Sequence, residues 1–406
     1  MSEAVRGNAV VGQSGGPTAV INQSLVGVIE AVSKCRAIKH LLGARHGVRG
    51  IVQEDFIDLK GLGRGLLERV AGTPASALGS TRDKPDEAYC KRIFKVFARN
   101  DVRYFFYIGG NDSADTARIV NEMAAAASHE LRVFHIPKTI DNDLCVTDHC
   151  PGYGSAARFV ASAFVGDDRD SASLPGIKIN VVMGRHAGWL TAASALGRTD
   201  RKDGPHLVYL PEVPFSTARF LEDVGRIFAR LGRCQIAVSE GIADRRGKPV
   251  AQVLAEKLGI ELERDSHGNV QLSGSGALGD FLADYVKAEL GRKYKSLRVR
   301  ADTFGYLQRS FAGCASPVDA AEARQCGRKA VEYAMAGDLD GSVAIRRAKG
   351  STYRASYFRA RLRDVAGGTK HMPRGFINKA GNGVTAAFAK YALPLTGKLP
   401  VIGKLG

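Results

Sequence analysis

Tyr104-Phe105-Phe106-Tyr107-Ile108-Gly109-Gly110-Asn111-Asp112-Ser113 is an apolar run that stops at two glycines and passes into polar residues, with a helix-like stretch from Ala114 to Ala127 behind it. A continuous aromatic and β-branched run is what a strand buried on both faces requires, and a glycine turn lets such a strand hand over to a helix lying across the sheet. The same pattern recurs three times. Ala9-Val10-Val11 runs into Gly12-Gln13-Ser14-Gly15-Gly16-Pro17 and then a helical stretch from Ala19 to Val32; Arg132-Val133-Phe134-His135-Ile136 runs into Pro137 and a polar loop; Ile179-Asn180-Val181-Val182 runs into Met183-Gly184. Short strands alternating with longer helices predict βαβ units around mostly parallel sheets, an α/β fold. Open α/β sheets bind ligands beyond the carboxyl ends of their strands, so these four loops are the places to look for chemistry.

The chain of 406 residues is 45% hydrophobic, enough for an ample core and for two or three domains. No apolar run approaches the roughly 18 residues that a membrane-spanning helix needs, and the N-terminus lacks the basic-then-apolar layout of a signal peptide, which predicts a cytoplasmic protein. Seven cysteines, at 35, 90, 145, 150, 234, 314 and 326, are scattered without a Cys-x-x-Cys pair and read as free thiols. Cys145 and Cys150 have no second Cys/His pair to complete a metal site, so packing is the simpler reading. The net charge of +17 attracts anions of any kind. Because the basic residues are spread along the chain, with no dense Lys/Arg tract interleaved with aromatics, phosphorylated metabolites fit better than nucleic acid or a membrane surface. Gly152-Tyr153-Gly154, before a helix-like Ser155 to Val165, suggests a crossing into a second α/β lobe near residue 150. Residues 243 to 276, polar and glycine-bearing, read as a surface excursion, and Gly367-Gly368-Thr369 and Asn382-Gly383 mark turns in a C-terminal part with no evident chemical role.

Each loop has an ordinary structural reading beside a chemical one. Gly12 to Gly16 lets backbone amides approach an anion at a helix start, although adjacent glycines also make plain tight turns; the dinucleotide fingerprint and the P-loop spacing are both absent, which argues against an oxidoreductase. Asp112 could simply cap a helix. Pro137-Lys138-Thr139-Ile140-Asp141-Asn142-Asp143 is the most informative segment, because one carboxylate can take a proton from a hydroxyl, a second can orient it or hold magnesium, and a lysine can neutralise a transferring phosphoryl group; Asp-Asn-Asp is also ordinary turn chemistry. Met183-Gly184-Arg185, Ser239-Glu240-Gly241 and Arg300 through Arg309 place arginines and a glutamate near strand ends, suited to phosphate capture and sugar hydroxyls, or to surface ion pairs.

In this order and spacing the segments resemble the phosphofructokinase family, over residues 8 to about 330. The resemblance implies two Rossmann-like lobes with mostly parallel sheets and the active site between them: residues 1–152 with about 310–375 binding the donor, and about 153–309 with 376–406 binding fructose 6-phosphate. It implies that Asp141 is the base for the sugar 1-hydroxyl with Thr139 and Asp143 beside it, that Gly15 and Gly110 face the donor, and that Arg82 helps hold the transferring phosphoryl group. Met183, Arg185, Glu240, Arg300, Tyr306 and Arg309 would form the fructose 6-phosphate pocket. Asp112 and Lys138 stand where ATP-using members carry glycine, and Tyr306 where they carry histidine. A carboxylate at 112 would crowd and repel a nucleotide α-phosphate, so the implied donor is pyrophosphate, with an ATP-dependent enzyme or a catalytically silent homologue as alternatives. Magnesium is the implied cofactor, held by Asp143 and by Asn111, which replaces the usual aspartate. A homo-oligomer is implied by the family's shared sites, although the family's inter-subunit arginine is Gly176 here, with Lys178 nearby.

Overall fold

The computed structural model describes residues 5–258, 277–350 and 352–404. The strands are β1 (Gly7–Gln13), β2 (Ile38–Ala44), β3 (Phe56–Asp58), β4 (Val102–Gly109), β5 (Arg132–Pro137), β6 (Ile177–Val182), β7 (Leu207–Tyr209), β8 (Cys234–Ser239), β9 (Val299–Thr303), β10 (Asp340–Arg347) and β11 (Ala355–Ala360). The chain divides into two compact units, Met1–Ala156 with Arg309–Lys370 and Ala157–Gln308 with His371–Gly406.

The first unit is built on a seven-stranded sheet in the order β11-β10-β5-β4-β1-β2-β3, parallel except where β3 and β11 close the two edges. The side chains of its central strands alternate as a sheet covered on both faces requires. Ala9, Val11, Tyr104, Phe106 and Ile108 pack on one face under the helices Ile21–Val32 and Pro317–Ala336, while Val10, Phe105 and Tyr107 pack on the other under Glu87–Arg99 and Asn111–Ala126. Each large aromatic buried this way stabilises the sheet by about 3–5 kcal/mol against truncation to alanine. The chain leaves β1 toward β2, and β4 lies on the other side of β1, so the loops after β1 and β4 diverge and leave a crevice at their carboxyl ends.

The second unit carries a four-stranded parallel sheet in the order β7-β8-β6-β9. The carboxyl ends of β6, β8 and β9 run directly into Met183, Glu240 and Phe304. Residues 243 to 276 are not wholly a surface excursion: Val250–Leu258 is a helix with Val250, Ala251, Leu254 and Ala255 buried against this sheet, because its apolar residues recur at helical spacing despite the polar flanks. The remainder, 259–276, lies outside the described residues. All seven cysteines are free.

Candidate active site

In the first unit, the loop after β1 leaves the sheet by two backbone bonds, Ser14 N–H to the Ile108 carbonyl and Gly15 N–H to the Thr81 carbonyl, both 2.9 Å. Gly15 then turns with φ +73°, a left-handed conformation that disfavours any side chain. The Ser14 and Ser113 hydroxyls hydrogen-bond each other, stitching this loop to the start of helix Asn111–Ala126. That helix begins at Gly110 with no side-chain cap, so its first amides remain available at the crevice. Behind the turn, buried His135 is pinned by Ser342 at Nδ1 and by the Gly109 carbonyl at Nε2, 2.8 Å each. Burial pushes its pKa down to about 4 against the Gly109 bond, so it is neutral and donates from Nε2. The result is a cleft of about 410 Å³ lined by Gly15, Gly16, Arg82, Gly110, Lys138 and Asp141, among others.

The segment after β5 supplies most of the cleft's charge. Lys138 is 3% exposed, and its ammonium donates to the Gly16 carbonyl at 2.9 Å. Burial lowers its pKa to about 8, Asp141 and Asp143 oppose that shift, and Arg309 reinforces it. Asp141 N–H is held by the Thr139 hydroxyl at 3.1 Å. Asn142 adopts φ +55°, a conformation asparagine tolerates better than most residues, and its buried amide oxygen accepts from Cys150 N–H at 3.0 Å. These local bonds turn Asp-Asn-Asp so that Asp141 and Asp143 both line the cleft while Asn142 points into the protein.

Arg82 lines the rim on a loop whose next residue, Asp83, is tied to Arg49 at 2.8 Å and to the Tyr89 hydroxyl at 3.0 Å. Asp112 sits in the first turn of its helix, exposed, with Lys84 at 3.3 Å. Such an exposed pair is worth at most about 1 kcal/mol, so the buried ammonium of Lys138 is the dominant fixed charge for an anion to meet. Arg309, expected with the sugar pocket, belongs to the first unit and lies over the donor loop: a β-carbon added at Gly16 would be 2.8 Å from its guanidinium.

Asn111 and Asp143 suit a magnesium ion. The Asn111 side-chain oxygen is buried with no hydrogen-bond partner among the described residues, and its amide nitrogen is 3.4 Å from an Asp143 oxygen. A buried carbonyl oxygen without a donor, next to a carboxylate, is a hard-oxygen pair of the kind magnesium takes alongside water and phosphate oxygens. Among the described residues no group of three or more His, Cys, Asp or Glu side chains forms a closed protein cage.

In the second unit, Met183, Arg185, Glu240 and Tyr306 all follow carboxyl ends of the sheet. The Ser239 hydroxyl donates to the Gly184 carbonyl at 2.5 Å, and Glu240 N–H to the Val182 carbonyl at 2.9 Å, locking the two loops together. Burial raises the Glu240 carboxyl above its ordinary pKa, while the Gly184 backbone and Arg185 pull it back. Tyr306 is 56% exposed. Arg300 is not brought into this group. It lies near the amino end of β9, paired in register with Lys178, which itself bridges Asp167 and Asp302. Buried Gln308, which stands inside the Arg300–Arg309 motif but carries no role in the sequence reading, accepts from Met183 N–H at 3.3 Å and donates to the Gly305 carbonyl at 2.8 Å. Ser14, Ser113 and His135 were likewise missed as supports of the donor loop. Ser14 lies within the glycine turn after β1 and Ser113 directly follows Gly109-Gly110-Asn111-Asp112, which is the only signal in the sequence that marks them.

Glycine turns at a topological switch point, a buried lysine and two carboxylates on one loop are parts that phosphoryl transfer in an α/β protein calls for. The chain belongs to the phosphofructokinase family, whose profile matches residues 8–334. It is 57% identical over 393 residues to the pyrophosphate–fructose 6-phosphate 1-phosphotransferase of Rhodospirillum rubrum, covering 97% of this chain and 95% of that one. It is 40% identical to the enzyme of the same name from Xanthomonas campestris, covering 96% and 91%. The crystal structure of a pyrophosphate-dependent phosphofructokinase from Nitrosospira multiformis superposes with a TM-score of 0.84 at 33% identity, over 98% of this chain and 94% of that one.

Proposed function

We propose that this protein is a pyrophosphate-dependent 6-phosphofructokinase, reversibly transferring a phosphoryl group from pyrophosphate to the 1-hydroxyl of fructose 6-phosphate. The observation that carries the donor assignment is Lys138, a buried ammonium bonded to the donor loop where ATP-using members carry glycine. Pyrophosphate lies across the Gly15 and Gly110 turns, taken up by the amides that open helix Asn111–Ala126 and by Lys138 and Arg82. Asp112, exposed at that helix start, excludes the extra phosphate of a nucleotide by charge and bulk. Asp141 accepts the proton as the sugar hydroxyl attacks the near phosphorus, the bridging P–O bond breaks, and Lys138 and Arg82 neutralise the charge carried off by the leaving phosphate. Asn111 and Asp143 would hold magnesium, which when bound neutralises phosphate oxygens. Met183, Arg185, Glu240, Arg300, Tyr306 and Arg309 bind fructose 6-phosphate. Arg300, near the amino end of β9, lies apart from the loops at the carboxyl ends of β6 and β8 within its own unit, which supports a homo-oligomer in which Arg300 serves a neighbouring site. A cytoplasmic role in glycolysis and gluconeogenesis suits a reversible reaction of this kind, and no helix among the described residues is long and apolar enough to cross a membrane.

Replacing Asp141 with alanine tests the mechanism. Turnover is expected to fall by at least about a thousandfold, with fructose 6-phosphate binding by calorimetry changed less than about threefold, since general base catalysis acts on the chemical step. Retained turnover would remove Asp141 from the base role.

A further inference from the structure

Behind the catalytic loop lies a buried polar network that no step above uses. Helix Pro317–Ala336 presents Asp319 and Glu322, three residues apart and so on one face, 2% and 6% exposed. Asp319 Oδ1 accepts the Gly152 N–H at 2.8 Å, and its Oδ2 accepts the Ser155 N–H at 2.8 Å and the Ser155 hydroxyl at 2.6 Å. Ser155 returns a bond, its hydroxyl oxygen accepting from Ser316 N–H at 3.0 Å. Glu322 accepts from His149 Nε2 at 2.7 Å and from the Tyr353 hydroxyl, while His149 Nδ1 meets Asp148 at 2.8 Å.

Of these partners, Asp148, His149 and Gly152 belong to one loop, and Ser155 lies in the first turn of the helix Tyr153–Ser173 that follows it. Gly152 is bridged to Thr139, whose N–H donates to the Pro151 carbonyl at 3.2 Å, so residues 139 and 152 close the two ends of the loop that carries Asp141 and Asp143. Its distal part is tied down by His149 and by Lys370, which donates from its backbone to the Asp143 carbonyl at 2.7 Å and from its ammonium to the Thr147 and Asp148 carbonyls at 3.0 and 2.9 Å. The same helix crosses Ile21–Val32, the helix that follows the Gly15 turn, at backbone contact: a β-carbon on Gly27 would sit 2.1 Å from the Arg324 carbonyl oxygen, and one on Gly327 2.1 Å from that of Ser24. One rigid helix therefore backs both the donor loop and the catalytic loop.

We propose that Asp319 and Glu322 are positioning residues for phosphoryl transfer, fixing the Thr139–Gly152 loop so that Asp141 and Asp143 face the donor cleft. Asp319 is suited to this because its two oxygens serve three donors that no neutral side chain of the same shape can satisfy together. Burial raises its pKa to about 6 against the Ser155 and Gly152 bonds, which leaves it ionised at neutral pH. Both nitrogens of His149 face carboxylates. Burial lowers its pKa, and the Asp148 and Glu322 bonds outweigh that, so the net shift is upward and favours the imidazolium that binds both. The inference rests on Asp141 being the base.

The test is Asp319→Asn and Glu322→Gln in the full chain, with Asp141→Asn as the control. Asp319→Asn is expected to lower kcat at least tenfold while KM for pyrophosphate and for fructose 6-phosphate stays within about threefold. Backbone hydrogen exchange should speed up across residues 139–152 and stay unchanged in β1 and β4. Glu322→Gln should show the same split with a smaller kcat loss. Should Asp319→Asn fail to fold, Ser155→Ala removes one of the three donors and is expected to lower kcat severalfold with the same pattern. Wild-type kcat in these variants, or a kcat loss with no local change in exchange, overturns the positioning role. If Asp141→Asn stays active the base assignment fails instead, and an inactive Asp141→Asn beside a fully active Asp319→Asn refutes the positioning proposal alone.

Discussion

Lys138 shows how one residue couples burial to function. Taking an ammonium out of water disfavours its charged form, and the shift from 10.5 to about 8 corresponds to about 3 kcal/mol held against the charge until an anion arrives. The sign is set by the lowered value: below about pH 8 the group is protonated and, in the proposed role, attracts the donor, and as pH rises through 8 the charge is lost. The expected profile of kcat/KM for pyrophosphate has an alkaline limb near pH 8, falling about tenfold per unit beyond it, and Lys138→Met should lower the plateau and remove that limb. A limb that persists unchanged in the variant would assign the titration to another group. At this scale the sequence was informative where types and spacing were unusual, as in Lys138 to Asp143. It pointed to Arg309 but not to its approach to Gly16, a contact across almost three hundred residues of chain that only the fold creates.

At the level of elements, strands buried on both faces were readable and edge strands were not. β4 carries an unbroken apolar run from Tyr104 to Ile108, and β5 is buried throughout with only Arg132 and His135 polar, because helices cover both strands on each side. β2, with Lys39 and His40 exposed, and the edge strand β11, with its exposed arginine and serine, lack that signature because one side meets water. The motif Asn111-Asp112-Ser113 proved to be the first turn of its helix rather than a loop before it, which is what brings Ser113 onto Ser14. The two glycines that let helices Ile21–Val32 and Pro317–Ala336 touch were also invisible, since single glycines in helical patterns usually mean only lost stability. Gly327→Ala tests that contact. The added methyl has no room against the Ser24 carbonyl, so the helices must separate, and denaturant unfolding should show a loss of about 1–3 kcal/mol instead of the gain that alanine brings to an open helix. A stabilised variant would mean that the helices can part without cost.

For the molecule as a whole, the family match ends at residue 334, yet the chain beyond it is structural. β10 and β11 complete the first unit's sheet beside β5, and Ala386–Thr396 packs in the second unit, where Tyr391 meets Trp189. Two α/β units with their loops at strand carboxyl ends, a net charge of +17 and a donor cleft centred on a buried lysine together suit small phosphorylated substrates. The most direct test of the account is the initial rate of fructose 1,6-bisphosphate formation from fructose 6-phosphate and magnesium with pyrophosphate or ATP as donor, side by side. Turnover with pyrophosphate and at least a hundredfold less with ATP is the predicted result. Turnover with ATP alone would contradict the roles given to Asp112 and Lys138, and none with either would contradict the assignment of this site to phosphoryl transfer.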